Sequence, residues 1–244
     1  MPAPADDPAC AGDDVTVWRV RPAVSGELAT TRAVTQSERE QASRLAPEPR
    51  RTYLTARTAL RLLLGRALGA APLEIAFDRT CEHCGDHAHG RPRLSGADEG
   101  RLDFSISYSG RVALVAIASG CRVGADVESV EGHGATHRWC FASSERDALA
   151  SIPPEQRPRV AATSWVRKEA LAKGVGVGLA LPLADVIVTG PRAGWQLPCA
   201  NWQLPCANWQ IEDVAIDAST VGAIAVSRGD RGARARVTVT DWTR

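Results

Sequence analysis

Lysine is nearly missing from this chain of 244 residues: of its 29 basic side chains two are lysine, Lys168 and Lys173, and 27 are arginine. Positive charge therefore comes as a planar guanidinium almost everywhere. The two compact ammonium groups share one short segment beside Glu169, which reflects either an Arg-biased composition or a site that needs an ammonium. An excess of one charge is missing too. Twenty-eight acidic residues leave a net charge of +1, so nothing global points to nucleic acid or an anionic membrane. Long apolar runs are absent: the longest, Val112 to Ala118, is far too short to span a bilayer. The opening MPAPADDPACAGDD is acidic and rich in Pro and Ala. It has neither the basic start nor the apolar stretch of a secretory signal, so a disordered lead-in over 1–14 and a cytoplasmic location are expected. The seven cysteines are odd in number and scattered, which argues against a disulfide framework and for reduced thiols.

What is present reads as a mixture of strands and helices. Val15 to Val20 alternates as a strand does. Ser37 followed by Glu40 predicts a capping box opening a short helix. Leu60, Leu63, Leu64 and Leu68 stand near helical spacing within a helix predicted over Arg51–Leu68, with Gly69 as its C-cap. Strands are predicted at Leu73–Phe77, Leu102–Ile106, Val112–Ala118 and Arg122–Glu128. Helices are predicted near Ser143–Ser151 and Glu155–Lys173. From Asp185 onward the pattern is mostly β: Asp185–Val188, Gln210–Ile216, Val221–Ser227 and Arg236–Thr240.

Three segments carry chemistry. In Val123-Gly-Ala-Asp126-Val-Glu128 the alternation of a strand sends both carboxylates to one side and the apolar residues to the other. Two such carboxylates repel unless a cation lies between them, and a hard ion such as Mg²⁺ suits them. In Trp165-Val-Arg-Lys168-Glu169-Ala-Leu-Ala-Lys173, Glu169 and Lys173 are four apart and share a helix face. In Phe104-Ser-Ile-Ser107-Tyr108-Ser109-Gly-Arg111, small hydroxyls and a glycine at a hairpin tip can approach a phosphate. Arg50, Arg51 and Arg57, and the loop His89-Gly-Arg91-Pro-Arg93, add cations suited to phosphate. Each segment alone is also an ordinary solvated face, surface ion pair or turn.

Together and in this order the segments resemble the surfactin-synthetase-activating (Sfp) type of 4'-phosphopantetheinyl transferase, from about Val17 to Val226. Gly124-Ala-Asp126-Val-Glu128 is similar to the family's G-[IV]-D-[IV]-E strand. Trp165 to Lys173 is similar to its W-[ST]-x-K-E-[AS]-x-x-K helix, His89-Gly-Arg91-Pro to its G-K-P loop, and Trp209 to Val226 to its closing hairpin. The resemblance implies an α+β fold of two similar halves related by a pseudo-twofold axis, each a small antiparallel sheet packed on a long helix. The halves would span 15–120 and 121–244 and join near Ser119–Arg122. It implies that Asp126, Glu128 and Glu169 hold Mg²⁺ against the diphosphate of coenzyme A. Glu169 would be the base for a carrier serine, and Lys173 would stabilise the leaving phosphate. Arg50, Arg51, Arg57, Thr58, Arg91, Ser107, Tyr108 and Lys168 would serve coenzyme A. The partners implied are apo acyl or peptidyl carrier proteins of polyketide or nonribosomal peptide synthesis, met by a monomeric enzyme. One departure stands out: the family's S-H-S-G appears as Ser107-Tyr108-Ser109-Gly110, and tyrosine donates from further out and without positive charge. A non-catalytic coenzyme A or phosphate-binding protein is the alternative that this departure leaves open.

Two further features lie outside these segments. Cys81, Cys84, His87 and His89 crowd four soft ligands into nine residues. Structural zinc modules separate their ligand pairs by a loop or helix, so a reduced polar loop is expected there, with a zinc site as the alternative. Trp195-Gln-Leu-Pro-Cys-Ala-Asn201 repeats unchanged at Trp202–Asn208. Proline in each unit excludes a coiled coil, and 195–208 reads as a tandem insertion in a surface hairpin.

Overall fold

The run Val112–Ala118 is buried along its whole length, and this one strand places the rest of the molecule around itself. A strand covered on both faces needs no alternation. Ala113, Val115 and Ile117 pack toward one helix, while Val112, Leu114, Ala116 and Ala118 pack against a second sheet. The computed structural model that shows this describes residues 14–22, 33–81, 85–86, 90–131, 138–178, 181–188, 209–227 and 234–243. The lead-in up to residue 13, the Cys84, His87 and His89 positions and the tandem heptads lie outside the described residues, while Asp14 already belongs to a strand.

The elements in chain order are β1 (Asp14–Val20), α1 (Gln36–Ser43), α2 (Pro47–Leu68), β2 (Phe77–Asp78), β3 (Arg93–Leu94), β4 (Asp103–Ser109) and β5 (Val112–Ala118). They continue as β6 (Val123–Ser129), α3 (Ser143–Ser151), α4 (Arg157–Val175), β7 (Trp209–Val214), β8 (Thr220–Ser227) and β9 (Arg236–Trp242). One sheet has the order β4-β5-β1-β9, another the order β6-β8-β7, and β2 pairs with β3. This is a mixed α+β architecture. Helix α2 covers the outer face of the first sheet through Ala56, Ala59, Leu60 and Leu64. Helix α4 covers the outer face of the second through Val166, Ala170 and Leu171, against Ile211, Ala223 and Ala225. The inner faces of the two sheets meet through Val15, Val17, Leu114, Val123, Val127 and Ile224. The layers therefore run helix, sheet, sheet, helix. No helix among the described residues is long and apolar enough to cross a membrane.

Several expectations need correction. The first sheet is not wholly antiparallel: β9, from the far end of the chain, pairs with β1 in parallel, Asp14 opposite Arg236 and Val20 opposite Trp242. Of Leu73–Phe77 only Phe77 is in a strand, and Asp185–Val188 holds the end of a 3-10 turn in place of one. The capping box of α1 is formed by Thr35 and Glu38, two residues earlier than Ser37 and Glu40. Glu38 Oε2 accepts from the Thr35 N–H at 2.8 Å, and Thr35 Oγ1 accepts from the Glu38 N–H at 3.3 Å. The shift has a cause further along the chain, since Glu38 also faces two arginines of α2. Arg57 Nη2 is 2.5 Å from it and Arg61 Nε 2.8 Å.

Glu38 is 5% exposed. Burial alone would push its carboxyl up, but the Arg57 charge, the Thr35 N–H and Arg61 outweigh it and hold the group below the ordinary carboxylate value. A depressed carboxyl contributes stability that is present above its unfolded value, about 4.5, and lost as pH falls through the lower folded value. Glu38→Gln should therefore cost about 3 kcal/mol at pH 7, with the gap to wild type narrowing once the pH drops below about 4.5. Urea unfolding of both proteins at pH 7, 5 and 3 reads this directly. A gap that stays constant across the three would contradict it.

A carboxylate cluster at the seam between the sheets

Strand β4 reads Asp-Phe-Ser-Ile-Ser-Tyr-Ser, a polar–apolar alternation that would ordinarily place its polar side in water. Here Phe104, with Ile106 and Tyr108, packs toward α2, while the polar side chains meet β6. The outward N–H groups of β6 donate to them at a constant offset. Val123 N–H donates to Asp103 Oδ2 at 2.7 Å, Ala125 N–H to Ser105 Oγ at 2.9 Å, and Ser129 N–H to Ser109 Oγ at 3.0 Å. Side chains thus take the place of a backbone ladder at the seam. Ser107, the remaining member of the series, is turned elsewhere. Its hydroxyl donates to Asp126 Oδ1 at 2.7 Å and accepts from Lys173 Nζ at 2.9 Å.

The face of β6 that carries Gly124, Asp126 and Glu128 lies against α4 at backbone distance. A Cβ on Gly124 would stand 1.9 Å from the Ala170 carbonyl oxygen and 2.4 Å from the Gly174 nitrogen. Only glycine permits that approach. It lets the strand carrying Asp126 and Glu128 meet the helix carrying Glu169 and Lys173. Lys173 Nζ donates to Asp126 Oδ1 at 2.6 Å, and Ser109 Oγ donates to Glu128 Oε2 at 3.2 Å. Asp126 Oδ2 and Glu169 Oε1 are buried and have no hydrogen-bond partner. Burial, then the charge of Asp126 and, more weakly, that of Glu128, pushes Glu169 up to about 7 against the pull of Lys173. Burial and Asp126 likewise raise Glu128. Three carboxylates face one ammonium here, a local deficit of positive charge.

That deficit bears on whether the residues suit a divalent cation. Among the described residues no three His, Cys, Asp or Glu side chains are gathered closely enough to hold a metal ion as they stand. Mg²⁺, however, takes one or two carboxylates and fills its remaining positions with water and substrate oxygens. A buried carboxylate oxygen without a donor is costly unless something cationic completes it. The unpartnered oxygens of Asp126 and Glu169 fit that requirement.

A cavity of about 630 Å³ opens beside α1 and α2, lined by Ser37, Tyr53, Arg57, Arg79, Phe77 and Tyr108 among others. Two of the residues expected to serve coenzyme A, Arg57 and Tyr108, line it. Arg57 lies 5.0 Å over the Phe77 ring, and Tyr53 and Tyr108 stack at 5.5 Å. Burial holds the Tyr108 hydroxyl far above its usual range.

Five other expected site residues are placed elsewhere. Lys168 is fully buried. Its ammonium donates to Cys140 O at 2.7 Å, Leu183 O at 2.8 Å and Glu145 Oε2 at 2.5 Å, so it cannot also reach a phosphate. Arg91 donates to Gly174 O, Asp103, Phe104 O and Val123 O, a bolt across β4, β6 and α4 in place of a phosphate contact. Arg50 donates to Ala42 O and Ser43 O and closes the end of α1 onto α2. Thr58 is fully buried within α2. Arg51 is half-buried on the first turns of α2. Sequence reasoning missed Glu145 altogether. Its one signal was its place three residues past the N-cap of α3, where its Oε2 accepts from the Ala142 N–H at 2.9 Å.

Comparison with known proteins places the chain among relatives of one kind. The family model described as the 4'-phosphopantetheinyl transferase superfamily matches residues 122–221, a span containing β6 and α4. The chain is 31% identical over 178 residues to the 4'-phosphopantetheinyl transferase HetI of Nostoc sp. (strain PCC 7120), covering 69% of this chain and 71% of that protein. It is 26% identical over 181 residues to the "Putative 4'-phosphopantetheinyl transferase slr0495" of Synechocystis sp. (strain PCC 6803), covering 72% and 69%.

Proposed function

Since the chain belongs to the 4'-phosphopantetheinyl transferase superfamily and is such a transferase, we propose that it uses coenzyme A and Mg²⁺ to modify apo carrier proteins of polyketide or nonribosomal peptide synthesis. In this reading it is of the surfactin-synthetase-activating type and works in the cytoplasm as a monomer. Its halves, 15–120 and 121–244, are related by a pseudo-twofold axis, with the tandem heptads as an insertion. Support for two halves comes from the repeated pairing of one sheet with one long helix, α2 on the first and α4 on the second.

The observation that carries the site assignment is the pair of unpartnered buried oxygens, Asp126 Oδ2 and Glu169 Oε1, beside the ammonium of Lys173. Asp126, Glu128 and Glu169 would hold the metal, which when bound neutralises diphosphate charge. The hydroxyl oxygen of the carrier serine attacks the β-phosphorus of coenzyme A. The bond from that phosphorus to the bridging oxygen breaks, and 3',5'-ADP departs. Glu169, directly or through water, takes the serine proton. Lys173 faces the oxygen on which negative charge builds. In such transfers the protein chiefly positions groups and offsets charge. The cavity lined by Arg57 and Tyr108 is suited to the nucleotide end of the donor, because its cationic rim and aromatic wall match a phosphate and a base.

The test is intact-mass spectrometry of several apo carrier proteins incubated with this protein, coenzyme A and Mg²⁺, each with an EDTA control. One phosphopantetheine should be gained and the gain lost in EDTA. No gain on any carrier would refute the transfer reading in favour of a binding protein. A gain that survives EDTA would refute the metal.

A further inference from the structure

Lys173 is placed oddly for a group whose work is to meet phosphate. Its ammonium lies on Asp126 Oδ1 at 2.6 Å and on Ser107 Oγ at 2.9 Å, and Ser107 itself donates to the same Oδ1 at 2.7 Å. The three groups close a triangle around one carboxylate oxygen. The Lys173 side chain is 31% exposed and that of Asp126 is 4% exposed, so the ammonium plugs an otherwise buried anion from the solvent side. Ser107 could have followed its neighbours: Ser105 and Ser109 each accept a β6 N–H, from Ala125 and Ser129. Among the described residues, Ser107 is instead spent on holding Lys173 to Asp126.

We propose that Lys173 is an internal counter-ion that occupies the cation position of Asp126 and withholds it from a divalent metal until the phosphates of the donor draw the ammonium away. The proposal rests on the metal assignment above and adds an order to it. An ammonium and a divalent cation compete for one oxygen, since a carboxylate already neutralised by a contact ion pair attracts a second cation less. An incoming diphosphate gives Lys173 a better anion and leaves Asp126 without its counter-ion, held by the Ser107 hydroxyl alone. Metal alone should then bind weakly, and metal and donor should reinforce each other beyond their direct contact with each other. A lysine at this position in an arginine-rich chain suits this exchange, because an ammonium is a single mobile point charge whereas a guanidinium binds carboxylate as a fixed fork.

The test measures Mn²⁺ binding by the electron paramagnetic resonance of free Mn²⁺, with no coenzyme A present. Lys173→Met should bind Mn²⁺ about tenfold more tightly than wild type. Ser107→Ala, which keeps every charge but removes one leg of the triangle, should shift affinity the same way by a smaller factor. Arg111→Gln removes a positive charge from the exposed tip of the β4–β5 hairpin, where Arg111 pairs with Glu48, and should change nothing. Adding coenzyme A should raise the affinity of wild type by more than that of Lys173→Met. Equal tightening in Arg111→Gln would reduce the effect to net charge and overturn the proposal. No tightening in Lys173→Met would overturn it as well, while a loss of binding in Asp126→Asn in the same series would leave the metal assignment standing. Asp126→Asn binding as well as wild type would overturn the metal assignment itself.

Discussion

Asp126→Ala should lose phosphopantetheine transfer by at least about a thousandfold while remaining folded. The asymmetry follows from where each partner of Asp126 stands. Removing its carboxylate deletes the buried Oδ2 proposed for the metal, together with the anchor for Ser107 and Lys173. Lys173 is not left as an isolated buried charge, because its side chain already has 31% of its surface in solvent and can hydrate where it is. The cost in stability should be about 1 kcal/mol. The backbone of β6 keeps its ladder to β8, Asp126 opposite Ala223. Transfer is read by carrier mass and folding by thermal melting. Turnover within about tenfold of wild type would remove Asp126 from the metal site.

Lys168→Met should do the reverse. The ammonium of Lys168 meets two carbonyls and the Glu145 carboxylate with no access to solvent. Glu145 in turn accepts the Ala142 and Val188 N–H groups, so the pair ties α3, α4 and the segment before the hairpin together. Removing the lysine strands a buried anion, a change that costs about 3–5 kcal/mol and roughly 10 °C in melting temperature for a chain of this size. Adding Glu145→Gln should recover part of the loss, since no unpaired charge then remains. The KM for coenzyme A of the folded protein should stay within about twofold of wild type. A tenfold rise in KM with an unchanged melting temperature would instead return Lys168 to the donor site.

The contrast between the two lysines shows what could be read from the sequence. Glu169 and Lys173 are four residues apart and share a face, as their spacing predicted. Lys168 and Lys173 are five apart, roughly 140° around a helix, so one of them had to point away from the other. The spacing does not say which face is the site, and resemblance to a motif kept both. The chain retains a lysine at 168 for a reason that geometry makes plain: an ammonium can donate three hydrogen bonds in three directions, and three acceptors converge there. The elements themselves were legible where period or capping was strong, as in α2 ending at Gly69 with φ 70° and in the β4–β5 hairpin. Lost were the features decided by distant partners. The capping box moved to Glu38 because Arg57 and Arg61 needed a carboxylate. The polar face of β4 met β6 instead of water because two sheets had to be joined without a backbone ladder.

The parallel pairing of β9 with β1 sets a schedule for the chain as it is made. Val15 and Val17 are buried core residues near the start of the described chain, yet their strand gains its outer neighbour only from Arg236–Trp242. At about 5–20 residues per second of synthesis, some ten to forty seconds separate the two strands. During that interval one edge of β1 has no permanent mate and can pair with other chains.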